Sequence, residues 1–182
     1  DRPSTLRVIP DGCVDLIGDD VVGSLDGALV VELKAGHDAV GVRFRPGGFT
    51  ALYGVPAEEL NGLRAPLTDV VRPRSLAELA RDARPPDPLV AAALASPDVG
   101  ALARETGYSA RHLRRRLLAL TGHTPKRLAR IARMQAVLAA GRGESWARTA
   151  VDFGYYDESH MINDIRALAD ATPARMLDAR AA

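Results

Sequence analysis

The stretch from Val99 to Pro125 recurs, in changed letters, from Trp146 to Pro173, and this duplication constrains the chain more than any other feature it carries. Aligning Gly107 with Gly154 sets Val99 against Trp146, Ala103 against Ala150 and Tyr108 against Tyr155. Tyr156 is one extra residue in the second turn. Beyond it Ser109 meets Asp157, His112 meets His160, Leu113 meets Met161, Leu117 meets Ile165, Leu120 meets Leu168, and Thr124-Pro125 meets Thr172-Pro173. A helix-turn-helix needs a small residue where two helices approach, a glycine at the turn, and a second helix with one apolar and one polar face. Both copies supply all three.

In the first copy, helical geometry gathers Leu113, Leu117 and Leu120 within about 60° of one another and sends Arg111, Arg114, Arg115 and Leu118 to the far side. Guanidinium forks bind guanine O6 and N7 bidentately and equally grip phosphate. Arg111, Arg114 and Arg115 are therefore the candidate base readers. Ser109, Arg116, Lys126, Arg127 and Arg130 are candidate phosphate contacts, with Arg133 adding to the same salt-sensitive grip. In the second copy the outward positions are Ser159, Ile162, Asn163 and Arg166. Asn163 suits adenine, Ser159 donates or accepts, Ile162 suits a thymine methyl, and Arg166 suits phosphate. Asp157, Glu158 and Asp164 stand nearby and repel phosphate, so the first unit is expected to supply most of the affinity.

Charge supports this asymmetry. Residues 98–140 carry nine basic and two acidic side chains, whereas residues 1–97 carry ten and fourteen and residues 141–182 carry five and seven. A basic block in an otherwise acidic chain is the footprint of a nucleic-acid contact, with a solvated helix face as the alternative. The fifteen residues from Lys126 to Ala140 predict a helix about 22 Å long. Such a rod can hold two recognition helices in successive major-groove turns about 34 Å apart.

The first half reads differently. Short β-type runs at Leu6–Ile9, Cys13–Ile17, Val21–Val22, Ala28–Leu33 and Ala39–Phe44 are separated by Asp-Gly, Gly-Asp and Pro-Asp-Gly turns. Short helical pieces follow at Phe49–Tyr53 and Ala57–Leu60, then connecting helices over Leu67–Ala95 with a proline-rich break at Arg84–Pro88. The fold class is α+β: a small, mainly antiparallel β domain, with an incomplete barrel as one option, ahead of an all-α domain of two helix-turn-helix units. The expected divisions are 1–66, a helical linker over 67–97, and 98–182.

Gly107-Tyr108-Ser109, His112-Leu113, Thr121-Gly122-His123-Thr124-Pro125, the long helix after them and Phe153-Gly154-Tyr155-Tyr156-Asp157-Glu158-Ser159-His160 together resemble the AraC/XylS family of bacterial transcription regulators. The resemblance covers about 80 residues. It implies a second helix of each unit in the major groove, with contacts at Arg111, Arg114 and Arg115, and at Glu158, Ser159, Ile162 and Asn163. Thr149 stands where that family usually has a large aliphatic residue, Ile165 where an aromatic is common, and Asn163-Asp164 where basic residues are frequent. Val8–Ile17, Gly41–Gly48 and Gly54–Leu60 resemble an N-terminal domain of many such regulators, which implies further strands upstream and a sensing or dimerising role.

Other residues have ordinary readings beside functional ones. His112 and His160 sit beside core positions, where packing or a local hydrogen bond is expected. Cys13 reads as a small buried residue, and the lone cysteine fits a reducing, cytoplasmic setting. Asp11-Gly12 reads as a turn. Arg43 and Arg45 share a strand face and suit either an anionic effector or cross-strand acidic partners. No nucleophile-base series, phosphate-binding glycine loop or metal-ligand spacing is present, so no catalytic residue, metal or cofactor is expected. The expected partners are double-stranded DNA, a small-molecule effector, RNA polymerase and a second copy of the chain, with no membrane. The competing reading is a protein-interaction module whose DNA-binding domain has degenerated.

Overall fold

A computed structural model of the chain describes residues 4–33, 40–95 and 98–181. Six short strands make up the first part: β1 (Ser4–Val8), β2 (Val14–Ile17), β3 (Asp20–Val22), β4 (Leu29–Leu33), β5 (Gly41–Phe44) and β6 (Arg64–Pro66). Every pairing is antiparallel. The order β5-β2-β3-β6 forms one sheet, and β1 pairs with β4 in a second; the two do not close into a barrel. Among the described strands β2 and β3 pair as a successive hairpin, and the other pairings skip along the chain.

Alternation explains which side each strand buries. Val14, Leu16 and Val21 point inward, onto Phe49 of α1 (Gly48–Tyr53), Leu60 of the 3-10 turn Ala57–Leu60, Leu67 of α2 (Leu67–Val70) and Leu79 of α3 (Leu76–Asp82). The rings of Phe44 and Phe49 meet edge-on, 5.5 Å apart. β6 is absent from the sequence reading because three residues ending in proline show no alternation. As an edge strand it tolerates Pro66. Ala39, expected at the start of β5, lies outside the described residues.

After the proline-rich break, Asp87 accepts the backbone N–H of Leu89 at 2.8 Å and starts α4 (Pro88–Ala95). α4 does not hang between the halves. Its Leu89, Val90 and Ala93 pack with Leu102 of α5 (Val99–Thr106), Leu113 and Leu117 of α6 (Ala110–Thr121), and Leu128 of α7 (Pro125–Ala140). The second unit, α8 (Trp146–Asp152) and α9 (Glu158–Ala169), is closed by α10 (Pro173–Ala181). α7 serves both units: Leu128 belongs to the first core, and Ile131, Met134, Val137 and Leu138 to the second. Sharing one helix between two cores fixes the units relative to each other. Ser109, Thr124, Ser145 and Asp157 cap α6, α7, α8 and α9 with their side chains, and Pro125 occupies the first turn of α7.

The strand-rich part touches both units at matching positions. Gly122, which ends α6, lies against Ser24 and Ala57. Its counterpart Asp170 ends α9 and pairs with Arg7 of β1 at 3.1 Å, while the same guanidinium donates to the Ala169 carbonyl at 3.2 Å. Gln135 adds a hydrogen bond from α7 to the Pro10 carbonyl at 2.7 Å, and Ile9 packs against the second core.

His123 sits in the first of these contacts, 1% exposed, with Nδ1 3.6 Å from Asp26. Burial lowers its pKa below the usual 6.5, outweighing the attraction of Asp26. Since the folded protein takes up this proton less readily than the unfolded chain, its contribution to stability is intact above about pH 6.5 and falls as pH drops toward the depressed value. Chemical denaturation between pH 7 and 5 is expected to show this loss, and His123→Asn to flatten that part of the profile. An unchanged slope in the variant would remove His123 from the account.

Candidate nucleic-acid interface

α6 presents its expected faces. Leu113 and Leu117 are both 0% exposed, and Arg111, Arg114 and Arg115 stand in solvent. No carboxylate pairs with these three guanidiniums among the described residues. Ser109 opens the helix by accepting the His112 N–H at 3.2 Å. His112 stacks on Tyr108 with ring centroids 4.5 Å apart, and in the second unit Tyr156 N–H donates to His160 Nδ1 at 3.3 Å. Both histidines thus make the packing and local hydrogen bonds expected of them.

The remaining cations divide. Lys126 and Arg166 are exposed and Arg127 is half-buried. Arg116 donates to the Tyr108 hydroxyl at 3.1 Å and reaches Asp87 at 3.4 Å, which ties α6 to the start of α4. Arg133 lies over the Tyr155 ring, 4.8 Å from its centroid, and donates to the Gly154 carbonyl. Arg130 donates through Nε to Asp164 at 2.6 Å, across the two units. Nothing in the spacing marks the Arg116–Asp87 or Arg130–Asp164 pair, because each joins elements distant in sequence.

α9 turns Met161, Ile165 and Leu168 inward and leaves Ser159, Asn163 and Arg166 exposed, with Ile162 and Glu158 half-buried. One of its three carboxylates, Asp164, is less free to repel phosphate than composition suggests. Asp157 accepts the His160 N–H at 2.7 Å as the helix cap. The Asp164 side chain is 9% exposed and held by Arg130. Burial, with the Asp164 charge beside it, pushes the Tyr155 hydroxyl up to about 12, so the ring stays neutral against this pair. Asp164→Ala is expected to cost about 1–3 kcal/mol in denaturant unfolding by leaving a partly buried guanidinium unpaired, and Asp164→Asn less. Equal, negligible losses in both variants would show that the pair contributes nothing.

Thr149 is buried in the second unit, where its hydroxyl donates to the Ser145 carbonyl at 3.0 Å, so a small polar residue is accommodated inside α8. Tyr156, the inserted residue, is 88% exposed.

In the strand-rich part, Arg43 meets Asp15, its cross-strand partner, at 2.9 and 2.8 Å, and reaches Asp11 at 2.9 Å. Its charge is thereby committed within the sheet. Asp11 also accepts the Cys13 N–H, making the expected turn. Burial and the neighbouring aspartates push the Cys13 thiol up to about 12, which leaves it protonated and unreactive. Arg45 is exposed and lines a cavity together with Arg84.

Among the described residues no helix is long and apolar enough to cross a membrane. Residues 102–179 match the family model of a helix-turn-helix domain, and residues 1–66 match that of a domain of unknown function (DUF6597). No curated protein and no solved structure matches the chain. The first match spans α6 to α9 with the three exposed arginines, and the second spans all six strands. The chain carries an AraC-type helix-turn-helix domain at residues 102–179 behind an N-terminal DUF6597 domain, as in AraC-family regulators, and this supports a DNA-binding transcription regulator.

Proposed function

We propose that this regulator binds a specific sequence across two adjacent major-groove segments, with most of the affinity coming from the first unit. One observation carries the asymmetry: α6 offers three exposed arginines without carboxylate partners, whereas α9 offers Ser159, Ile162, Asn163 and Arg166. In this reading Arg111, Arg114 and Arg115 read bases, as do Ser159, Ile162 and Asn163 at lower affinity. Ser109, Lys126, Arg127 and Arg166 face phosphates. Arg116 and Arg130 act chiefly within the protein, holding α4 and α9 in place. The sixteen residues of α7 make a rod of about 24 Å, which together with the width of the units suits successive turns of one groove face.

The divisions at 66 and 97 become functional ones here: residues 1–66 sense or dimerise, and 67–97 relay to the DNA-binding part. α4 lies within the first core, which supports a relay that is packed rather than flexible.

Selection of bound duplexes from random DNA, followed by a salt titration on the winner, tests the reading. Several phosphate contacts demand a steep loss of affinity with salt, with a logarithmic slope of about 0.9 per contact. Two enriched half-sites about one helical turn apart are expected. Flat binding, micromolar or weaker, with no enriched sequence would replace this reading with that of a protein-interaction module.

A further inference from the structure

We propose that the cavity between the β5 edge and α3 is a binding site for a compact apolar carboxylate, and that its occupant acts on the first recognition helix. This rests on the reading of the chain as an effector-controlled regulator and gives that control a place and a ligand class. The cavity measures about 540 Å3, within the roughly 300–1,000 Å3 typical of small-molecule sites. Val42, Phe44, Leu52 and Leu79 form an apolar wall, and Pro85 and Pro86 add to it.

Its charge is one-sided. Three arginines and one carboxylate line it, but two of these groups are already neutralised. Arg43 is held by Asp15 and Asp11, and Asp82 accepts Arg74 at 2.7 Å. Arg45 and Arg84 are left exposed, with no carboxylate partner among the described residues. An apolar wall under two unpaired guanidiniums selects an organic anion over a neutral or cationic molecule of the same shape.

The cavity also connects to the DNA-binding part. The lining segment Arg84-Pro85-Pro86 runs directly into Asp87, which caps α4 and pairs with Arg116 of α6. Two prolines make a stiff segment, so displacement at the lining is carried to Asp87 rather than absorbed. A ligand that prefers one position of this segment shifts the recognition helix by its difference in affinity between the two positions.

Isothermal titration of the full chain with 4-phenylbutyrate, 4-phenylbutan-1-ol and 4-phenylbutylamine tests the site, since the three differ in charge and little in shape. Saturable binding of the carboxylate is expected, with the alcohol and the amine weaker by about tenfold or more. Arg45→Ala and Arg84→Ala should each weaken the carboxylate alone, and Ala80→Phe, on the exposed face of α3, should block the cavity without unfolding the chain, as checked by its melting temperature. Equal binding of alcohol and carboxylate, no saturation, or unaltered binding in all three variants would overturn the site. Coupling is read separately, as a change in affinity for the selected duplex when 4-phenylbutyrate saturates the protein. Carboxylate binding with unchanged DNA affinity would overturn the coupling, whereas carboxylate binding by a chain that binds no DNA would overturn the regulatory reading and leave the site standing.

Discussion

Alanine at Arg114 or Arg115 is expected to weaken binding to a selected duplex by about 1–3 kcal/mol for each fork that grips a guanine, or roughly five- to 150-fold. The loss should be confined to the preferred sequence. Both side chains are exposed and lack internal partners, so their removal leaves stability near wild type and the effect reads out at the DNA. Lys126→Ala is the contrast. It should weaken all duplexes alike and reduce the salt slope by about one contact. Fluorescence anisotropy on matched and randomised duplexes over a range of salt separates the two patterns. If Arg114→Ala and Arg115→Ala together left preference and affinity as before, the outer face of α6 would not be the reading face.

A large loss of stability is also expected at Gly122. Its φ is 75°, a left-handed conformation that costs alanine about 1–2 kcal/mol. An added Cβ would also stand 2.7 Å from the Ser24 hydroxyl and 3.2 Å from the Ala57 carbonyl. Overpacking of that kind adds about 1–3 kcal/mol, so Gly122→Ala should cost roughly 2–5 kcal/mol in total. Gly107 is the internal control, since its φ is 71° and an added Cβ there meets nothing within 4 Å. Gly107→Ala should therefore lose the conformational part alone. Equal losses at the two glycines, measured by denaturant unfolding, would show that the strand-rich part does not press on the end of α6.

Local features were legible and non-local ones were not. The bounds of α8 and α9 follow from Ser145, Asp157 and the apolar spacing, because caps and periodicity act within a few residues. The exposed trio on α6 follows from the same geometry. Strand partners did not follow. β1 reaches past β2 and β3 to β4, and no turn residue encodes that choice. The fates of Arg116, Arg130 and Arg133 were hidden for a related reason: each meets a group on another element, which only the assembled fold brings near. Asp87 carried a usable signal, standing directly before Pro88 and an apolar run as a helix cap does. Arg7 carried none, since its partner Asp170 lies at the opposite end of the chain.

The paired grip on Gly122 and Asp170 has a consequence for what counts as an operator. The strand-rich part contacts equivalent ends of α6 and α9, and α7 joins their cores, so turning either helix about α7 strains these contacts. One extra base pair between half-sites rotates the second by about 35° around the duplex. Contacts at both ends oppose that rotation. Two intact half-sites set one base pair out of phase should then bind little better than one alone, and removing Arg7 should restore tolerance to spacing before it harms recognition of either half.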